Sequence, residues 1–273
     1  MKIGMFTSGY IRKRLEDAFR DAKRFGYDGI ELWGGRPHAY APDLKNGKIK
    51  EIKDLIDKYE IPVFGYTPEL NAYPFNMMTI DNKIRKESLD YIKLSMDMAK
   101  KMGADFTLIS AGHAGYYLSK KEIWDLLLTN LKVIKNYAET IKHKIVIEPL
   151  TMYESNVIRE TNDLKAIFKE IESEYIFGMC DVVPPFVHQE PLTNYLEKLK
   201  DKLYHIHLVD NNGCSDIHLI PGEGNIPLKE YLEELDYYNY KGYLTIELVS
   251  SYINDPSLYS KKAIKNLKKL LKN

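Results

Sequence analysis

At 273 residues the chain is long enough for one α/β barrel of about 250 residues or for two small domains. Lys plus Arg and Asp plus Glu both number 39, a formal net charge of zero, which removes any electrostatic drive toward nucleic acid or an anionic membrane. No run approaches the ~20 apolar residues of a membrane span, and the opening run 1–6 is too short for a signal peptide, so the chain reads as soluble and cytoplasmic.

An apolar fraction of 44% can fill a sizeable core. Two cysteines make no disulfide framework, and Cys180, inside a buried-strand pattern, reads as a core thiol.

In chain order, short apolar runs alternate with longer amphipathic ones. Residues 2–6 read as a strand, and 12–25 as a helix with Leu15, Ala18, Phe19 and Ala22 on one face. Strand 29–33 precedes helix 49–59, strand 61–66, an aromatic and Pro-rich loop over 67–78, and a long helix over 82–102. Strand 105–109 and helix 120–140 follow, then strand 144–148 and helix 162–172. Strand 175–181, a short helix 192–200, strand 203–209, helix 227–235, strand 243–248 and helix 256–271 complete the series. Eight strand-then-helix units, with no linker, low-complexity tract or repeat, predict a single (β/α)8 TIM barrel spanning 1–273.

In such a barrel chemistry sits at the C-terminal ends of the strands. Ile145-Val146-Ile147 is a β-branched run that ends in Glu148 with Pro149 behind it, and an acid there is costly to bury without a metal or substrate partner. Taken alone, Glu148 could equally be a surface acid capping a strand. Asp181, His207 and Glu247, however, close three further strands in the same way, and four ligand-type residues at equivalent strand ends point to one site. Three carboxylates and one imidazole, without thiolate, favour Mn2+, Mg2+ or Co2+ over structural zinc. Three negative charges in one buried mouth also need a cation. His205 lies two residues before His207 on the same strand face, a layer deeper, and reads as a hydrogen-bonded core histidine.

Glu148-Pro149-Leu150 with Glu154 six residues on, and Asp181, His207 and Glu247, resemble the xylose-isomerase-like sugar isomerase/epimerase superfamily and, within it, the ketose 3-epimerases. Trp33-Gly34-Gly35-Arg36-Pro37-His38-Ala39, Gly65-Tyr66-Thr67-Pro68-Glu69, Tyr153-Glu154-Ser155-Asn156-Val157 and Ile220-Pro221-Gly222-Glu223-Gly224 extend the likeness over nearly the whole chain, toward the branch that acts on glycated amino acids. The resemblance implies epimerisation at C3 of a ketose, one divalent ion (Mn2+ first, with Co2+, Mg2+ or Ni2+ as alternatives) and a homo-oligomer. Glu148 and Glu247 would be metal ligands and the acid/base pair, Asp181 and His207 the remaining metal ligands, and Glu154 a further carboxylate near the substrate hydroxyls.

Two positions depart from the free-ketose pattern. The Arg expected six residues after the histidine ligand is Gly213, and the His expected three residues after the aspartate ligand is Pro184, with His188 the nearest His. Both departures argue for a glycated amino acid rather than a free ketohexose. Arg36, or the aromatic loop 66–75, could bind the amino-acid end, although Arg36 could equally be structural. His113, after the fourth strand, is a candidate substrate contact or a loop-ordering residue.

No Lys or Arg occurs in 203–228, 242–260, 145–158 or 177–197, which disfavours a phosphorylated sugar and a DNA backbone. A free-ketose 3-epimerase or isomerase is the second reading. An endonuclease IV-like repair enzyme, or a barrel that binds sugar without turning it over, stands behind it.

Overall fold

Each strand of the sheet pairs in parallel with a neighbour on both sides, and the last returns to the first, closing an eight-stranded barrel in the order β1 to β8. The structure, a computed structural model, describes residues 1–71 and 74–272. The strands are β1 (Lys2–Phe6), β2 (Gly29–Gly34), β3 (Val63–Pro68), β4 (Phe106–Ser110), β5 (Lys144–Glu148), β6 (Ile176–Asp181), β7 (Leu203–His207) and β8 (Tyr243–Ile246). Between and after them run α1 (Leu15–Phe25), α2 (Ile49–Tyr59), α3 (Asn82–Met102), α4 (Lys120–Ile141), α5 (Thr161–Glu170), α6 (Val183–His188), α7 (Leu228–Tyr237) and α8 (Pro256–Leu270). The barrel expected from strand–helix alternation is therefore the fold.

The helices follow from capping and from one apolar face each. Leu15, Ala18, Phe19 and Ala22 bury the inner face of α1. Asp81 accepts from Lys83 N and Ile84 N to start α3, and Ser119 with Glu122 forms a reciprocal capping box on α4. Met77, Met78, Met96 and Met98 are buried as core filler.

Two segments differ from expectation. The helix predicted over 192–200 is a single wide turn, Tyr195–Leu199, followed by a 3-10 turn, Lys200–Lys202. A short helix, α6, instead follows β6 directly, because Pro184 and Pro185 fall in its first turn, where no intrahelical N–H is required. The loop predicted over 67–78 includes Ala72 and Tyr73, which lie outside the described residues.

The barrel interior is layered. Phe64, Phe106, Leu108, Val146 and Met179 form an apolar plug of their own, and Phe64 stacks on Tyr243 with ring centroids 3.6 Å apart. Gly65 makes room for it, since a Cβ there would meet the Phe106 ring at 2.6 Å. Side chains alternate along a strand, so Val146 and Glu148 share a face of β5, and Met179 and Asp181 share a face of β6. The plug lies beneath the polar groups. No helix among the described residues is long and apolar enough to cross a membrane.

Candidate active site

β5 stops at Glu148 because Pro149 has no N–H to continue the ladder. β6 stops at Asp181, whose Oδ1 accepts from Val183 N at 2.9 Å as the chain turns into α6. His207 is the last residue of β7, and Glu247 follows β8 by one position. One ligand atom from each of Glu148, Asp181, His207 and Glu247 can be chosen so that all four lie within 4.8 Å of one another. The four predicted metal ligands thus meet at the C-terminal mouth of the barrel.

His207 orients this set. Its Nδ1 is 2.8 Å from Glu247 Oε2 and 3.6 Å from Glu148 Oε1, while it is buried and lacks hydrogen-bond geometry to any described residue. Its Nε2 lies 3.0 and 3.1 Å from the two oxygens of Glu31. Glu31, fully buried on β2, also holds His205 Nε2 at 2.8 Å and accepts from Thr67 Oγ1 at 2.6 Å. A carboxylate on the far ring nitrogen fixes the imidazole so that Nδ1, once its proton has left, can turn its lone pair toward Glu148, Asp181 and Glu247. His205 is the buried, hydrogen-bonded histidine expected one layer down.

Burial and charge spread the protonation behaviour of these groups apart. Burial, aided by Glu247 and Asp181, raises Glu148 well above the usual carboxylate range. Burial and Glu247 push Asp181 up to about 6 against the opposing pull of His218. Burial also opposes the charge on Glu247, but His207 and His218 outweigh it and hold that carboxylate down. Burial disfavours the His207 cation as well, yet Glu31 and Glu247 raise its pKa well above the imidazole range.

The donor set fits a divalent cation. Bonds of 2.0–2.2 Å place opposing ligand atoms up to about 4.4 Å apart, close to the observed spread. The orphaned Nδ1 of His207 is the feature such an ion would satisfy, and three oxygens with one nitrogen suit a hard or borderline metal.

The loop after β7 brings in residues that strand ends do not reveal. His218 is buried, its Nε2 3.5 Å from Asp181 Oδ2, its Nδ1 3.5 Å from Glu247 Oε2 and donating to the Glu247 carbonyl at 3.2 Å. Asp210 braces this loop by accepting from Asn211 N, Gly222 N and Ile226 N at 2.9, 2.9 and 3.0 Å. Gly224 in the Ile220–Gly224 run is required by close approach, since a Cβ there would sit 2.4 Å from Asp210 Oδ1. Asp216, on the same loop, is hydrogen-bonded to Glu154, and burial together with this carboxylate neighbour pushes Glu154 up to about 8. Asn71 Nδ2 also reaches Glu154 Oε1, at 3.4 Å.

A cavity of about 150 Å3 opens beside these four side chains, bounded by Glu148 and Glu247 with Phe6, Trp33 and Leu108. The remaining predicted substrate contacts are dispersed. His188 Nε2 accepts from Met152 N at 3.2 Å, tying the end of α6 to the loop after β5. His113 Nδ1 accepts from Gly115 N at 2.9 Å. Arg36 is engaged elsewhere: its guanidinium makes two 2.8 Å bonds to Asp43, lies 4.7 Å from the Tyr40 ring centroid, and does not line that cavity.

The family model described as xylose isomerase-like TIM barrel matches residues 19–270. Fructoselysine 3-epimerases of Escherichia coli O157:H7 and Shigella flexneri are each 52% identical over 271 residues, covering 99% of this chain and 98% of theirs. Among solved structures, apo 3-keto-D-glucoside 4-epimerase from E. coli superposes with a TM-score of 0.82 at 20% identity, covering 98% of this chain and 99% of that one. D-Psicose 3-epimerase with D-tagatose, from Clostridium cellulolyticum H10, gives 0.81 at 18% identity and 99% of each chain. At such identities the structural likeness speaks for the fold alone. With the fold, the four converging side chains and these relatives together, the chain belongs to the xylose isomerase-like TIM-barrel family and is an isomerase of the 3-epimerase kind.

Proposed function

We propose that this isomerase is a metal-dependent 3-epimerase that interconverts fructoselysine and psicoselysine through an enediolate. The observation that carries the reading is the convergence of Glu148, Asp181, His207 and Glu247 at the barrel mouth, in a chain 52% identical to proteins named fructoselysine 3-epimerase. These four residues would hold one divalent ion, Mn2+ by our reading, with Co2+, Mg2+ or Ni2+ as alternatives. When bound, such an ion supplies a Lewis acid for negative charge developing on the substrate oxygens.

The chemistry left to the protein is proton transfer at C3. One glutamate removes the C3 proton from one face, and its partner delivers a proton to the other, so the configuration inverts with no net change in protons. Glu148 and Glu247 suit this work because β5 and β8 are three steps apart around the closed barrel, about 135° of arc, and the two carboxylates flank a sugar bound between them. The apolar plug beneath them gives the site a hydrocarbon floor.

Glu154, His188, His113 and Arg36 are the proposed substrate contacts, with Arg36 the least favoured because Asp43 already holds it. Gly213, where free-ketose epimerases carry an Arg, favours the glycated substrate over a free ketose. A homo-oligomer in the cytoplasm is part of the same reading.

Replacing Glu148 or Glu247 by Gln tests the assignment. Each variant is expected to keep a folded barrel and to lose epimerisation by about 10²-fold or more. Near-normal turnover in either would remove it from the acid/base pair.

A further inference from the structure

Two cavities on the catalytic face share a wall. The inner one, about 150 Å3, holds Glu148 and Glu247, whereas a second, about 500 Å3, is lined by Phe75, Asn76, Ile84, His113, Tyr153 and Glu154. Leu70 and Asn71 line both. The outer volume is within the range of small-molecule sites, and a six-carbon sugar engaged at the inner cavity leaves it unfilled.

We propose that the outer cavity is the subsite for the amino-acid portion of the substrate, with the lysyl chain running from C1 past Asn71 and Glu154 and its α-carboxylate reaching His113. The proposal rests on the fructoselysine reading given above and adds where the part that is not sugar is recognised.

Three features of the wall match this occupant. Phe75, Ile84 and Tyr153 offer apolar surface to a run of methylenes, and Asn76, His113 and Glu154 add polar groups to the same lining. Beside Asn71, which lines both cavities, stands Glu154, hydrogen-bonded to Asp216, and among the described residues no Lys or Arg lines either cavity. The amine that joins lysine to C1 is a cation that can donate to the oxygens of the hydrogen-bonded Glu154–Asp216 pair, whereas a phosphorylated sugar finds no cation on the described walls. Elsewhere in that lining, Gly115 N–H occupies His113 Nδ1, so the neutral ring carries its proton on Nε2 and offers a donor to a carboxylate.

The test uses the full-length, Mn2+-loaded protein and three probes: fructoselysine, 1-deoxy-1-methylaminofructose, and fructosyl-1,5-diaminopentane. The second keeps the sugar and amine without the tail, and the third keeps the tail without its carboxylate. Ile84→Trp narrows the outer cavity from the first turn of α3. It is expected to raise KM for fructoselysine about tenfold or more and to leave the methylamino probe within about twofold. His113→Ala, which adds no bulk and guards against a misfolded Trp variant, is expected to raise KM about tenfold for fructoselysine but not for the diaminopentane compound. Equal changes on all probes, or no change on fructoselysine, would overturn the subsite while leaving the activity intact. Failure of the unmodified protein to exchange C3 on fructoselysine would overturn the activity reading and the subsite with it.

Discussion

Glu31 and His207, 176 positions apart in the chain, meet in the barrel interior with His207 Nε2 at 3.0 and 3.1 Å from the two carboxylate oxygens. Burial opposes the charge on Glu31, yet His207 and His205 hold its pKa well below the usual range. The pair fixes which ring nitrogen of His207 faces Glu148, Asp181 and Glu247. Glu31→Gln keeps the size and removes the charge. Its Mn2+ affinity, measured by calorimetry, is expected to fall about 10–100-fold, in line with other losses of a carboxylate behind a metal-binding histidine. Unchanged affinity would mean that strand geometry alone orients the ring.

Metal binding should compete with protons. Burial raises Glu148 and takes Asp181 to about 6, and His207 keeps its proton well above the ordinary imidazole range because Glu31 and Glu247 outweigh its burial. Each of these protons must leave before the ligand can bind a cation, and each leaves more readily as pH rises. Apparent Mn2+ affinity should therefore climb between about pH 5 and about pH 8, and the thermal shift produced by a fixed Mn2+ concentration should grow with it. A shift independent of pH would contradict the assignment of these side chains as ligands.

The loop that carries His218 and Asp216 hangs on Asp210. Asp210→Ala leaves the N–H groups of Asn211, Gly222 and Ile226 without their acceptor. A loss of about 1–3 kcal/mol in urea-induced unfolding is expected, with a fall in kcat as His218 loses its place beside Asp181 and Glu247. Full stability with full kcat would show that the loop is positioned by other contacts.

Strand–helix periodicity was enough to read the barrel, because strands buried on both faces carry continuous apolar runs and their helices carry one apolar stripe. The metal-ligand candidates were equally legible: an acid or imidazole ending an apolar run, as at Glu148, Asp181 and His207, marks the strand ends where the barrel concentrates chemistry. Glu31 was a missed signal, a carboxylate in the middle of the buried strand Gly29–Gly34 whose partners could have been sought among the histidines of β7. His218 and Asp216 carried no comparable mark. They sit in a loop whose path is set by Asp210 side-chain bonds rather than by any period. The sequence alone leaves Arg36 between a substrate and a structural role, and Asp43, seven residues on, holds it.

The central claim is best tested by following C3 directly. The Mn2+-loaded protein is incubated with fructoselysine in deuterated water while the C3 proton is observed by NMR, alongside fructose, psicose and tagatose. The expected result is loss of the C3 signal of fructoselysine with formation of psicoselysine, and neither change in Glu148→Gln or Glu247→Gln. No exchange at C3 of fructoselysine, with exchange on a free ketose, would contradict it.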